Sequence, residues 1–206
     1  SEEIAEYAAA DQSARLPVKP IVVIGGRQVK LWQGLEDLLS PRPVLMRGLG
    51  DATVDDMTHY HSELIGHYQP GILVLLPGTS EFHIRDSKSA EELVAAIREL
   101  VKLDESYDVP RQYYIFAPIK TPRYTQDYSK IDETIRLLAQ WAQDQPQVTI
   151  LDPNTLLTSR GGRPNPDYFR LDGVNLNEHG YLRISLLLQS TLDQNLKEEY
   201  ATIGIR

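Results

Sequence analysis

The stretch Ile21-Val22-Val23-Ile24-Gly25-Gly26-Arg27-Gln28-Val29-Lys30-Leu31-Trp32 decides the fold. Its first four residues are all apolar and β-branched, which favours a strand over a helical turn. A strand apolar on both faces belongs inside a parallel sheet covered by helices on both sides. The two glycines that follow let the chain turn sharply off such a sheet.

Working outward, four more short apolar runs bounded by turn formers lie at residues 44–46, 72–76, 113–116 and 148–151. Segments with helical spacing follow most of them. Leu93, Ile97, Leu100 and Val101 form one stripe, and Ile131, Ile135, Leu138 and Ala142 another. Met57, Leu64, Ile65 and Tyr68 line a less regular face, and Trp32, Leu35 and Leu39 a fourth. Strands alternating with amphipathic helices predict a three-layer α/β/α sandwich around a parallel sheet of five strands. In such folds the working residues sit just past the carboxyl ends of the strands.

The 206 residues are 41% hydrophobic and 24% charged, enough for one domain with a real core. One domain over 1–206 is expected, with a lead-in helix over 1–18 and a C-terminal tail over 194–206. The net charge of −8, without clustered basic residues, argues against a nucleic-acid partner. No apolar run approaches the ~18 residues of a membrane span. With no cysteine, disulfides, thiolate metal sites and cysteine nucleophiles are all excluded.

The strand ends carry the informative residues. They read Gly25-Gly26-Arg27-Gln28, then Arg47-Gly48-Leu49-Gly50-Asp51, Pro77-Gly78-Thr79-Ser80-Glu81, and Ile119-Lys120-Thr121-Pro122-Arg123. Asp172-Gly173-Val174-Asn175-Leu176-Asn177 precedes Glu178-His179-Gly180-Tyr181. In this order the blocks resemble the SGNH/GDSL hydrolase family, in particular its lipase- and acetylhydrolase-like branch, and the resemblance implies the strand order 2-1-3-4-5. Gly25 to Trp32 is similar to that branch's Gly-Ser-Ser-Ser-Ile-Arg-Leu-Trp. Met46 to Thr53 is similar to Asn-Arg-Gly-Phe-Gly-Gly-Ala-Thr, Gly78 to Glu81 to Gly-Asp-Asn-Asp, and Asp172 to Asn177 to Asp-Gly-x-His-Leu-Asn.

The resemblance places the nucleophilic serine at Arg27, the oxyanion-hole glycine at Asp51 and the oxyanion-hole asparagine at Ser80. It places the general-base histidine at Asn175 and keeps the orienting aspartate as Asp172. Four of the five identities are therefore replaced. Acyl transfer needs a nucleophile paired with a base, and donors aimed at the developing oxyanion. Arginine stays protonated to pH ~12 and is no nucleophile. The amide of Asn175 cannot take a proton as imidazole does, and Asp51 would set a negative charge beside an oxyanion. Losing one oxyanion donor alone costs about 10²–10³ in rate.

The expectation is a catalytically degenerate SGNH-like protein whose cleft binds a carbohydrate or another small ligand, or whose surface meets a protein partner. Two alternatives stand beside it. One is a weak or rewired esterase using Ser80, His179 or Asp172; the other is a structural or assembly module with a filled cleft. Ligand-binding candidates are Arg27, Asp51, Ser80, Tyr124, Asn175 and His179, with no cofactor and no metal. His59 and His61, two apart on a predicted helix, do not share a face, and neither His67 nor His83 has a neighbouring ligand pattern. If the vacated site closes on itself, Arg27 pairs with Asp51, Asp172 or both as a buried ion cluster; otherwise it faces an anionic ligand group. The Ser1 start and the resemblance suggest a periplasmic or secreted protein.

Overall fold

The computed structural model describes residues 1–83, 85 and 87–204. In chain order its elements are α1 (Glu2–Ser13), β1 (Ile21–Gly25), α2 (Arg27–Lys30), α3 (Leu35–Leu39), β2 (Val44–Gly48), α4 (Val54–His59), α5 (His61–Leu64), β3 (Ile72–Leu76), α6 (Ala90–Glu105), β4 (Gln112–Phe116), α7 (Tyr128–Ala142), β5 (Val148–Leu151), α8 (Asn154–Leu157) and α9 (Glu178–Ile203). The five strands pair in parallel in the order β2-β1-β3-β4-β5, as expected. Ile21 lies opposite Val44 on one side and Ile72 on the other, so the ends of β1, β2 and β3 stay level at Gly25, Gly48 and Leu76.

Alternation along the strands divides the core in two. Val22, Ile24, Leu73, Leu75, Tyr113 and Ile115 pack under α4, α6 and α7, against Met57, Leu93, Ile97, Leu100, Ile131 and Leu138. Val23, Val74, Leu76, Tyr114 and Phe116 face the other way, against Val29, Trp32, Leu35, Leu39, Ile184 and Leu188. That two-sided covering is why every residue of β1 is buried. Each such fully buried large side chain contributes about 1.5–3 kcal/mol. Trp32 anchors the second layer: its Nε1 donates to Ser185 Oγ at 2.8 Å, and its ring stacks on Tyr181.

Several boundaries differ from the sequence reading. The lead-in helix ends at Ser13, because Pro17 and the extended Ala14 do not continue a helix. The face from Trp32 to Leu39 is not one helix: Trp32 lies in the turn after α2, and α3 starts only after Gly34, whose φ of +87° suits glycine. The irregular stripe from Met57 to Tyr68 is α4, α5 and a 3₁₀ turn. The expected tail from 194 is instead the continuation of α9 to Ile203, since no proline or glycine interrupts it before Gly204. Among the described residues no helix is long and apolar enough to cross a membrane.

Candidate functional site

The chain leaves β1 toward β2 and later returns to β3 on the other side, so a crevice opens at the strand ends between the two connections. A cavity of about 190 Å³ occupies it, lined by Arg27, Gln28, Asp51, Ser80, Arg123, Asp172 and Asn175 together with backbone of Gly26 and Gly78. Five residues from four sequence blocks thus meet in one place: Arg27, Asp51, Ser80, Asp172 and Asn175. Two larger grooves, of about 770 and 700 Å³, lie on helix surfaces and contain none of them.

Each residue is held from behind. Arg27 opens α2, whose first turn closes on the Gly26 carbonyl. Gly25 has to be glycine, because a Cβ there would collide with Val29 and the Leu76 carbonyl. The loop carrying Asp51 is pinned by α1. Glu3 accepts from Gly50 N at 3.1 Å and pairs with Lys30, and Tyr7 OH donates to the Gly48 carbonyl at 2.6 Å. Beneath that loop Arg47 pairs with Asp11 at 2.9 Å, its guanidinium lying over the rings of Tyr7 and Tyr68.

Ser80 lies on the 3₁₀ turn Thr79–Glu81. Glu81 points inward and is fully buried, accepting from Val54 N at 3.0 Å and Lys88 Nζ at 2.9 Å. Burial pushes its carboxyl above the ordinary range despite the lysine. This ties the Ser80 turn to the start of α4. Asp172 is consumed by its own loop. Its Oδ1 accepts from Val174 N and Asn175 N, both at 2.9 Å, and its Oδ2 from Asn175 Nδ2 at 2.6 Å. Burial alone would raise this carboxyl, but the three N–H donors outweigh it and hold it below the usual range.

The expected ion cluster forms only in part. Arg27 Nη2 lies 3.1 Å from Asp51 Oδ2, but the two side chains are 57% and 36% exposed. No Arg27–Asp172 pair exists among the described residues, and the buried version of the cluster is corrected. The reason is that Asp172 already accepts three hydrogen bonds from its own turn.

Two ligand-binding candidates stand outside the lining. His179 is exposed on α9 and borders a separate groove beside Gly34 and Leu182. It therefore does not reach the cleft edge. Tyr124 packs its ring on His83, with centroids 4.4 Å apart, and carries the Arg123 guanidinium at 5.8 Å. The sequence reading passed over Gln28, Arg123 and the pair His83–Asp127, whose Nε2 and Oδ2 are 2.6 Å apart. Arg123 was visible at a strand end. Nothing in the spacing announced a partner 44 residues from His83. Among the described residues no group of three or more His, Cys, Asp or Glu is placed to hold a metal ion.

Chemically, the cleft offers recognition groups. Arg27 and Arg123 supply cations, Asp51 and Ser80 supply hydrogen-bonding oxygens, and Asn175, whose Nδ2 is committed to Asp172, keeps its amide oxygen as an acceptor.

No protein-family model matches this sequence, nor does any curated protein. Solved structures do. A Bacteroides fragilis protein described as an acylhydrolase is 19% identical, with 93% of this chain and 96% of that one covered and a TM-score of 0.79. A GDSL-like lipase of Bacteroides thetaiotaomicron is 15% identical, with 93% and 98% covered and a TM-score of 0.73. A carbohydrate esterase family 3 structure from Talaromyces cellulolyticus is 16% identical, with 88% and 99% covered and a TM-score of 0.66. The chain has the SGNH/GDSL hydrolase fold, a fold related to esterases and acetylhydrolases.

Proposed function

We propose that this chain is a non-catalytic protein built on the ester-hydrolase fold, and that its cleft binds a small polar ligand of carbohydrate character. One observation carries the reading: the cleft at the strand ends presents Arg27 and Asn175 where the resemblance expects a nucleophile and its base. Neither group can perform acyl transfer. Asp172 already accepts three N–H donors that hold its carboxyl below the usual range, so this carboxylate is a poor base toward water. A cavity of ring size remains, which argues against a cleft filled by its own side chains.

A second reading, a rewired hydrolase, has one feature in its favour. His83 follows Ser80 by three residues and is oriented by the buried Asp127, as a general base would be. His83 does not line the cavity, however.

Labelling with a fluorophosphonate probe, alongside hydrolysis of p-nitrophenyl acetate, separates the two. The expected result is no adduct and a rate equal to the buffer blank. A stoichiometric adduct on any serine, or turnover abolished by Ser80→Ala or His83→Ala, overturns the non-catalytic reading.

A further inference from the structure

Gln28 follows the position of the missing nucleophile and turns into the protein. It is 4% exposed, yet its Oε1 has no hydrogen-bond partner. The oxygen lies 4.0 Å from where a Cβ on Gly78 would stand, between the ends of β1 and β3, and Gln28 lines the cavity. A buried amide oxygen without a donor is costly and rare in folded proteins. It is retained where something brings the donor. The backbone of Gln28 is well fixed, because its carbonyl accepts from Tyr181 OH at 2.7 Å. That fixes the root of a side chain which is itself buried at the cavity.

Arg123 lines the same cavity. Its backbone N–H donates to the Gly173 carbonyl at 3.1 Å, which fixes it beside the Asp172 loop. Its guanidinium rests against Tyr124, and no carboxylate lies within ion-pair distance of it among the described residues. Arg27, by contrast, is engaged by Asp51. The cavity thus combines an unsatisfied buried acceptor with a cation that has no carboxylate partner. At about 190 Å³ it is smaller than the roughly 300–1,000 Å³ of drug-sized sites and suits one ring or a short chain.

We propose that Gln28 and Arg123 form a recognition pair for a hydroxy-carboxylate of single-sugar size, a hydroxyl donating to Gln28 Oε1 while the carboxylate is held by Arg123. This rests on the non-catalytic reading and names its ligand class. A guanidinium presents its donors in a planar fork that matches a carboxylate. A neutral sugar would satisfy Gln28 but leave the arginine without a counter-charge.

The test is calorimetric or NMR titration of the whole chain with glucuronate, gluconate and glucose. Binding of at least one of the acids ten-fold or more tighter than glucose is expected; the two acids distinguish a ring from an open chain. Arg123→Ala should erase that preference, and being a surface substitution it should leave the fold intact. Gln28→Leu should weaken binding ten-fold or more while leaving Tm unchanged or raised by about 2–4 °C, since it removes a buried group without a partner. A purely structural glutamine would show the opposite, a lower Tm with affinity untouched. The proposal is overturned if glucose binds as well as both acids, if no probe binds, if Arg123→Ala keeps the preference, or if Gln28→Leu keeps wild-type affinity. Ester turnover on the same sample would sink the non-catalytic reading while leaving these affinities readable, so the two failures are distinguishable.

Discussion

At the amino-terminal edge of the sheet, Asp104 at the end of α6 is fully buried. It accepts from Arg111 Nε and Tyr113 OH at 2.6 Å each and lies 2.7 Å from His61 Nε2. At the carboxyl edge, Arg27 and Asp51 pair at 3.1 Å in substantial contact with solvent. Both regions are charged, and both join segments distant in sequence. They differ in what surrounds the charges. Arg111 also donates to the Pro70 carbonyl at 2.7 Å, and the ring of His61 is stacked on Tyr107, so the first cluster locks α5, α6 and the starts of β3 and β4 together. The second cluster locks nothing that α1 and the Asp172 turn do not already hold. A buried ionic network is part of the fold's foundation, whereas an exposed one can change without the fold noticing. That freedom is what a binding site needs.

The largest effect expected is therefore far from the cleft. Asp104→Ala leaves the Arg111 cation buried without its carboxylate and should cost about 3–5 kcal/mol in urea unfolding. A loss below ~1 kcal/mol would erase the contrast between the two edges.

A smaller effect comes from acid. Burial acts to raise the Asp104 carboxyl, but hydrogen bonds from His61 and Tyr113 and the charge of Arg111 prevail and hold it below its ordinary value. A carboxyl with a depressed folded pKa contributes stability that is fully present above the unfolded value of about 3.9. That stability is lost as pH falls through the lower folded value. The Tm of the wild-type chain should fall below pH ~4, and the fall should be shallower in Asp104→Asn. Parallel curves for the two proteins would remove Asp104 from the account.

The smallest effect is at the cleft. Arg27→Ala breaks an exposed pair and should cost no more than about 1 kcal/mol, a Tm change within about 4 °C. A larger loss would mean that the cleft cluster is structural after all.

The strands were legible because β-branched runs apolar on both faces have few alternatives to a covered parallel sheet. Four of the five cleft residues differ from those the resemblance would place there, yet the glycines and apolar residues around them made the blocks recognisable in order. The candidates that the structure sets apart, His179 and Tyr124, sit beside the right blocks in sequence, but their side chains leave on other faces. Asn175 lies in the turn that precedes α9, whereas His179 stands in the first turn of α9 and borders a different groove.

By itself, then, the sequence determined the layers, because side-chain periodicity and glycine punctuation are local and repeat along the chain, and its resemblance to a known family implied the strand order and the gathering of Arg27, Asp51, Ser80, Asp172 and Asn175 at one sheet edge. Only the tertiary structure decided that Arg27 takes Asp51 and not Asp172, that Gln28 is buried without a donor, that Asp127 reaches His83, and that Asp104 gathers His61, Arg111 and Tyr113. Those outcomes depend on distances between segments some 7 to 44 residues apart. Hydrogen bonds are lost within about an ångström of their optimum and ion pairs weaken steadily with separation, and no spacing in the chain encodes that last approach.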